Sequence, residues 1–227
     1  MLSDTRSKLK ILDLGAHHDF ICNDYGAEHL HVAVDRSYLV KTGDDPRVVN
    51  AIRRELNVSE NEARDLTQGE FAKKIGRKRG KLPSLLVAAS AEHLPFSDRV
   101  FDETHARNVI QHIYNDKIKL GKSDSKIDRE VDDLVAEVAR VTKDKIIFSV
   151  SRVRLPEASG VPLMREIRDL FRVKLEKHGF MVKEHTNDFD YKMKKLYPNW
   201  HKAASSPARK SLNEIEKGAF ILIATRI

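Results

Sequence analysis

Several polar residues sit where short apolar runs end, and their types and spacing suit chemistry. The run opening "LKILDLGAHHDF" (9–20) supplies Asp13, Gly15 and the turn His17-His18-Asp19. The run "LHVAVD" (30–35) ends in Asp35, twenty residues after Gly15. A carboxylate at that distance suits a ribose diol, because it accepts both hydroxyl hydrogens. A third run leads into "SAEHLPF" (90–96) and a fourth into "ARNVIQHI" (106–113). His112 follows Asn108 by one helical turn, and an imidazole that titrates near neutrality is a candidate general base. The same His112 also fits plain packing under a sheet edge. Two adjacent histidines with His29 and His31 nearby suggest a metal. Chain neighbours rarely point the same way, however, and no H-x-x-x-H or cysteine-rich spacing accompanies them, so no metal is expected.

The elements that must position these residues follow from periodicity. Short apolar runs recur at 10–14, 30–35, 84–90, 100–107, 145–151, 180–185 and 219–227, the form expected of strands buried on both faces of a parallel sheet. Helical patterns lie between them. "DREVDDLVAEVARVT" (128–142) puts Val131, Leu134, Val135, Val138 and Val141 on one face. "PLMREIRDLFRVKLEKHG" (162–179) does the same with Leu163, Ile167, Leu170 and Leu175, opening on a proline and stopping at Gly179. Alternation of strand and helix predicts right-handed crossovers and a doubly wound, Rossmann-like α/β fold. The last two strands have only a basic stretch between them, read as non-helical, and must pair antiparallel. The expected architecture is therefore a mostly parallel seven-stranded sheet ending in an antiparallel C-terminal hairpin. Residues 1–227 are expected to form one domain, with insertions at about 44–83 and 186–217.

Ligands of such sheets bind at the carboxyl ends of the strands, where strand order reverses. That rule gathers the four strand ends into one candidate site. It also separates the two basic segments. "KKIGRKRGK" (73–81) and "YKMKKLYPNWHKAASSPARK" (191–210) each hold six Lys/Arg and no acid, so with a net charge of +7 the rest of the chain is mildly acidic. The first ends just before strand three, at the amino edge, away from the site. The second leaves the carboxyl end of a strand and should hang over the site rim. It mixes Tyr191, Tyr197 and Trp200 with cations, which suits stacked bases and phosphate, so RNA contact through 191–210 is an open reading beside that of a lid for a small substrate. Solvated charge is the bland alternative for both segments. The single cysteine, Cys22, excludes an internal disulfide; no run has the ~18 to 20 apolar residues of a membrane span; and "MLSDTRSKLK" lacks a signal-peptide core. A cytoplasmic setting without membrane contact is expected.

"ILDLG", "VAVDRS" and "AASAEHLPFSDRVFDETHARNVIQHI", in that order, resemble the class I S-adenosylmethionine-dependent methyltransferases, and most of all the branch acting on small molecules such as quinone precursors. The resemblance runs from about Leu9 to the C-terminus. It rests most on Ala91-Glu92-His93-Leu94-Pro95-Phe96 with Phe101-Asp102 at the family's distance. The resemblance implies S-adenosyl-L-methionine as cofactor and methyl transfer to an unidentified small-molecule or RNA acceptor. It further implies cofactor contacts from Asp13, Gly15, Ala16, His17, Asp35, Arg36, Ser90, Ala91, Glu92 and Asn108. Gly15 and its neighbours would face the methionine half, Asp35 the ribose, Ser90 to Glu92 the adenine, and Asn108 the sulfonium. The chain departs from the family's Gly-x-Gly-x-Gly turn, since His17 and Asp19 replace the second and third glycines. The alternative is a non-catalytic module of the same fold that holds RNA or a protein through its basic segments. A nicotinamide enzyme fits poorly, because the Gly-x-Gly-x-x-Gly spacing is absent.

Overall fold

The computed structural model describes residues 8–16, 25, 29–41, 43, 46–80, 82–107, 109, 124–150, 160–186, 189–197 and 220–227. The elements, in chain order, are β1 (Lys10–Leu14), β2 (Leu30–Val34), a 3-10 turn (Arg36–Leu39), α1 (Pro46–Leu56), α2 (Glu60–Asp65), α3 (Gln68–Lys78), β3 (Leu85–Val87), β4 (Phe101–Arg107), α4 (Asp124–Val141), β5 (Thr142–Val150), α5 (Gly160–Lys177), β6 (Phe180–His185), α6 (Phe189–Leu196) and β7 (Phe220–Arg226). The strands form one seven-stranded sheet in the order β3-β2-β1-β4-β5-β7-β6. Six strands share a direction, and β7 runs against both β5 and β6. Order reverses between β1 and β4, the switch point where such sheets bind ligands. Among the described residues no helix is long and apolar enough to cross a membrane.

Each strand is read by two different layers, as its alternation of side chains dictates. One face carries Leu12, Leu14, Val32, Val34, Ala106, Ile146, Phe148, Val150 and Leu222, and the apolar stripes of α4 and α5 close over it. All five α4 residues expected on one face are buried there. Phe148 and Phe171 meet edge to face with ring centres 5.1 Å apart. The opposite face carries Ile11, Ile147 and Ile221 under α6, and Ala33 under Tyr38 and Ala72 of α3. Helices α2 and α3 each begin in a capping box, Ser59 with Glu62 and Thr67 with Glu70, which satisfies first-turn N–H groups from both sides. With α1 they close a separate core of Val49, Ile52, Ala63, Phe71 and Ile75. The basic run 73–81 therefore starts inside a helix, with Lys73 to Lys78 on α3.

The stretch between β6 and β7 contradicts the non-helical expectation, because α6 lies within it. Its charges disguise it: Lys195 is exposed and Lys192 half-buried, while Met193, Leu196 and Tyr197, at helical spacing, pack on Ile11, Ile147 and Ile221. A buried polar network fastens this packing. His105 of β4 is fully buried. Its Nε2–H donates to Glu103 Oε2 at 3.1 Å, and its Nδ1 accepts from the Tyr197 hydroxyl at 2.9 Å. Lys145 Nζ lies 2.5 Å from the other Glu103 oxygen, and the Arg107 guanidinium sits 5.2 Å from the centre of the Tyr197 ring.

Burial pushes the His105 imidazole below its ordinary value, although the Glu103 pair opposes the shift. Burial raises Glu103, but the hydrogen bonds from His105 and Lys145 outweigh it and hold the carboxyl low. Both shifts have one sign in linkage. The unfolded chain takes up protons that the folded chain refuses, so stability falls with pH, first below the ordinary imidazole value of about 6.5 and then through the carboxylate range. Urea unfolding at pH 7.5 and pH 5.5 checks this. The loss of stability between the two is expected to be smaller in His105→Gln than in the wild type.

Candidate functional site

The site is assembled by register. Leu14 pairs with Val34, and Val34 with Val87, so β1, β2 and β3 end side by side. Leu14 also pairs with Ala106 across the switch point. Ala88, Asp35, Gly15 and Arg107 therefore follow one another along one edge of the sheet. Backbone bonds lock the row: the Gly15 N–H donates to Val34 O at 2.8 Å, and the Asp35 N–H to Val87 O at 3.1 Å.

Gly15 turns the chain with a φ of +68°, a region that side chains rarely enter. A Cβ added there would also lie 2.6 Å from Val109 Cγ2. The first glycine of the turn is thus fixed by its own backbone and by packing against the residue after Asn108. Ala16 is buried beside Ala33 and Tyr38. Tyr38 fills that small core and so serves as packing. His17, His18 and Asp19 lie outside the described residues, as do Asn108 and His112.

Asp35 caps the 3-10 turn that follows β2. Its Oδ1 accepts from the Ser37 N–H at 2.8 Å and from the Ser37 hydroxyl at 2.6 Å. Arg36 beside it is exposed. At the end of β3, Ser90 donates its hydroxyl to the Glu92 carboxylate, and the His93 N–H closes a turn onto Ser90 O at 3.2 Å. Ala89 and Ala91 pack against the main core. Asp13 differs from the others. It is buried on the face that α6 covers, where its Oδ2 lies 3.5 Å from Arg107. Gly15, Asp35 and Ala88 thus come to one edge, with Ala16, Arg36 and the Ser90–Glu92 turn following them in the chain and Asp13 on the opposite face. Among the described residues no group of three His, Cys, Asp or Glu could hold a metal ion.

Sequence reading missed two groups. One is the polar alternation Glu103, His105, Arg107 on β4, which signals a buried charged stripe on one face. The other is Glu137 and Arg140 on α4. Arg140 donates to both Glu137 oxygens, to Leu94 O, to Phe96 O and to Asp98, and Glu137 Oε2 accepts the Leu94 N–H at 2.9 Å. The pairing with Arg140 holds the Glu137 carboxyl below its usual range.

No protein-family model matches the chain, and no curated protein does. Solved structures do. The YcgJ protein from Bacillus subtilis matches with a TM-score of 0.51 at 15% identity, over 99% of this chain and 94% of that one. The PH0226 protein from Pyrococcus horikoshii OT3 matches with a TM-score of 0.50 at 15% identity, over 99% of this chain and 84% of that one. Geranyl diphosphate C-methyltransferase from Streptomyces coelicolor A3(2), crystallised with Mg2+, geranyl diphosphate and S-adenosyl-L-homocysteine, matches with a TM-score of 0.50 at 11% identity, over 97% of this chain and 73% of that one. At such identities what is shared is the fold.

The two constraints on Gly15 make separable predictions. Gly15→Ala is expected to destabilise the fold by about 2 to 4 kcal/mol, from left-handed strain plus overpacking. Trimming the partner removes only the second part. The double variant Gly15→Ala/Val109→Ala should therefore be more stable than the sum of the single effects predicts, a non-additivity that urea denaturation of the four proteins measures.

Proposed function

We propose, from the premise that the chain carries the fold of the class I methyltransferases, that it is an S-adenosylmethionine-dependent methyltransferase. The observation that carries this reading is the common edge to which β1, β2 and β3 deliver Gly15, Asp35 and Ala88 beside the β1/β4 switch point, with the Ser90–Glu92 turn following Ala88 in the chain. A neighbour of the same fold, the geranyl diphosphate C-methyltransferase, was crystallised with S-adenosyl-L-homocysteine, the demethylated form of that cofactor.

The residues present fit the group. It carries no phosphate, so the need for successive glycines to admit a pyrophosphate relaxes. The residues in the second and third glycine places, His17 and Asp19, are of types that enter left-handed backbone more readily than most. In this reading Asp35 accepts from the ribose hydroxyls, and Arg36 and Ser90 to Glu92 border the adenine. Gly15, Ala16 and His17 border the methionine half, with Asn108 near the sulfonium and His112 as candidate base. Asp13 contributes from behind by holding Arg107 at the end of β4. When bound, the cofactor supplies a methyl carbon made electrophilic by its sulfonium. The chain's own part is to orient the two reactants in line and to exclude water from between them. The acceptor is a small molecule or RNA, the chain is one domain with insertions at about 44–83 and 186–217, and the setting is cytoplasmic.

Titration calorimetry tests the reading. Binding heat is expected with S-adenosylmethionine and with S-adenosylhomocysteine, and Asp35→Ala should weaken it about 10- to 100-fold, the worth of hydrogen bonds to a charged group. No heat with either ligand, in wild type and variant alike, sinks it. The competing reading, a non-catalytic module, rests on the lost glycines at His17 and Asp19. It requires that silence, together with a salt-dependent RNA gel shift abolished by neutralising the basic residues within 192–210.

A further inference from the structure

Residues 88–100, between β3 and β4, contain no helix or strand. A segment of that kind has no ladder to hold it, and its backbone polar groups must find partners elsewhere. Its upstream end is held where Asp35 donates its N–H to Val87 O. Its downstream end is held from α4, one helix away, by Glu137 and Arg140.

The fastening is complete in its donors. Arg140 Nε donates to Glu137 Oε1 at 2.7 Å. One terminal nitrogen donates to Phe96 O and Asp98 Oδ1, both at 2.8 Å. The other donates to Leu94 O at 3.0 Å and to Glu137 Oε2 at 2.8 Å. These contacts use the full guanidinium fork. Both backbone polar groups of Leu94 are taken by the pair, and its side chain is buried in the main core. Pro95 has no N–H to offer. The Arg140 carbonyl in turn accepts the Arg99 N–H at 2.8 Å. Between the two fixed points lies only the short turn that Ser90 and His93 close.

We infer that Glu137 and Arg140 are positioning residues for the adenine-side wall of the site. They touch no ligand. They set the Ser90–Glu92 turn in place by fixing the chain at Leu94, so the wall stands at its working distance before anything binds. The inference rests on the methyltransferase reading and gives that site its preorganisation. A lysine in place of Arg140 keeps the charge but offers a single head group instead of a planar fork, so it cannot hold Leu94, Phe96 and Glu137 together.

Arg140→Lys and Glu137→Gln are compared with wild type by two measurements. The first is amide hydrogen exchange over residues 90–98. The second is calorimetric affinity for S-adenosylhomocysteine and for adenosine, both read only on folded protein. Faster exchange confined to 90–98 is expected in both variants, together with about a tenfold loss of affinity. That loss should be equal for the two ligands, because it falls on the adenosine half they share. A structural role alone would speed exchange in α4 as well and leave the affinity of the folded protein unchanged. If the wild type binds and both variants bind equally well, this inference is overturned and the methyltransferase reading survives. If the wild type binds neither ligand, both are overturned. Glu137→Gln keeps the test decisive should Arg140→Lys fold poorly.

Discussion

Parallel pairing sets Leu14 beside Val34 and Val34 beside Val87, and Gly15, Asp35 and Ala88 take their places from that alignment. A slip of one residue would turn Leu14 and Val34 away from the α4–α5 core and bring Asp13 to it, since side chains alternate along a strand. The buried apolar set therefore enforces the register, and the register delivers Gly15, Asp35 and Ala88 to one edge. The site depends on the core not through contact but through counting.

The two faces of the sheet do different work. Beneath α4 and α5 the packing is almost wholly apolar and unspecific in its chemistry. Beneath α6 it is specific: His105, Glu103, Lys145, Arg107 and Tyr197 form a network in which each partner fixes another. Buried polar groups of this kind cost stability when any member is lost, and in return they select one arrangement over its neighbours. That arrangement seats α6 over Ile11 and Ile147 and holds Arg107 beside Asp13, so the segment between β6 and β7 and the end of β4 are joined through one tyrosine.

Much of this was legible in the sequence, and the gaps have physical reasons. Short apolar runs marked the strands, β4 only weakly, and the reversed direction of β7 was expected from a basic stretch read as non-helical, although α6 in fact lies within that stretch. The stripe Val131, Leu134, Val135, Val138 identified α4 and its inward face. Helix α6 was hidden because Lys192, Lys194 and Lys195 dominate its composition while three residues, Met193, Leu196 and Tyr197, carry its packing. The buried stripe on β4 was hidden because Glu103, His105 and Arg107 read as surface residues until their partners are known. Reading α4 only for its apolar face passed over Glu137 and Arg140 on its flank. Asp35 and Gly15 were found at the strand ends by position alone. The second reason for Gly15, the approach of Val109, needs three dimensions to see.

The private core of α1, α2 and α3 has a consequence for how the chain can change. Val49, Ile52, Ala63, Phe71 and Ile75 pack on one another rather than on the strands, and the bundle meets the sheet mainly where α3 presses against Tyr38. A Cβ on Gly69 of α3 would lie 2.8 Å from the Tyr38 carbonyl oxygen, so that single seam is tight. Away from the seam the bundle is modular. A bundle with its own core is a unit of the kind that can open locally without unfolding the sheet, so changes within it need not disturb the row of strand ends.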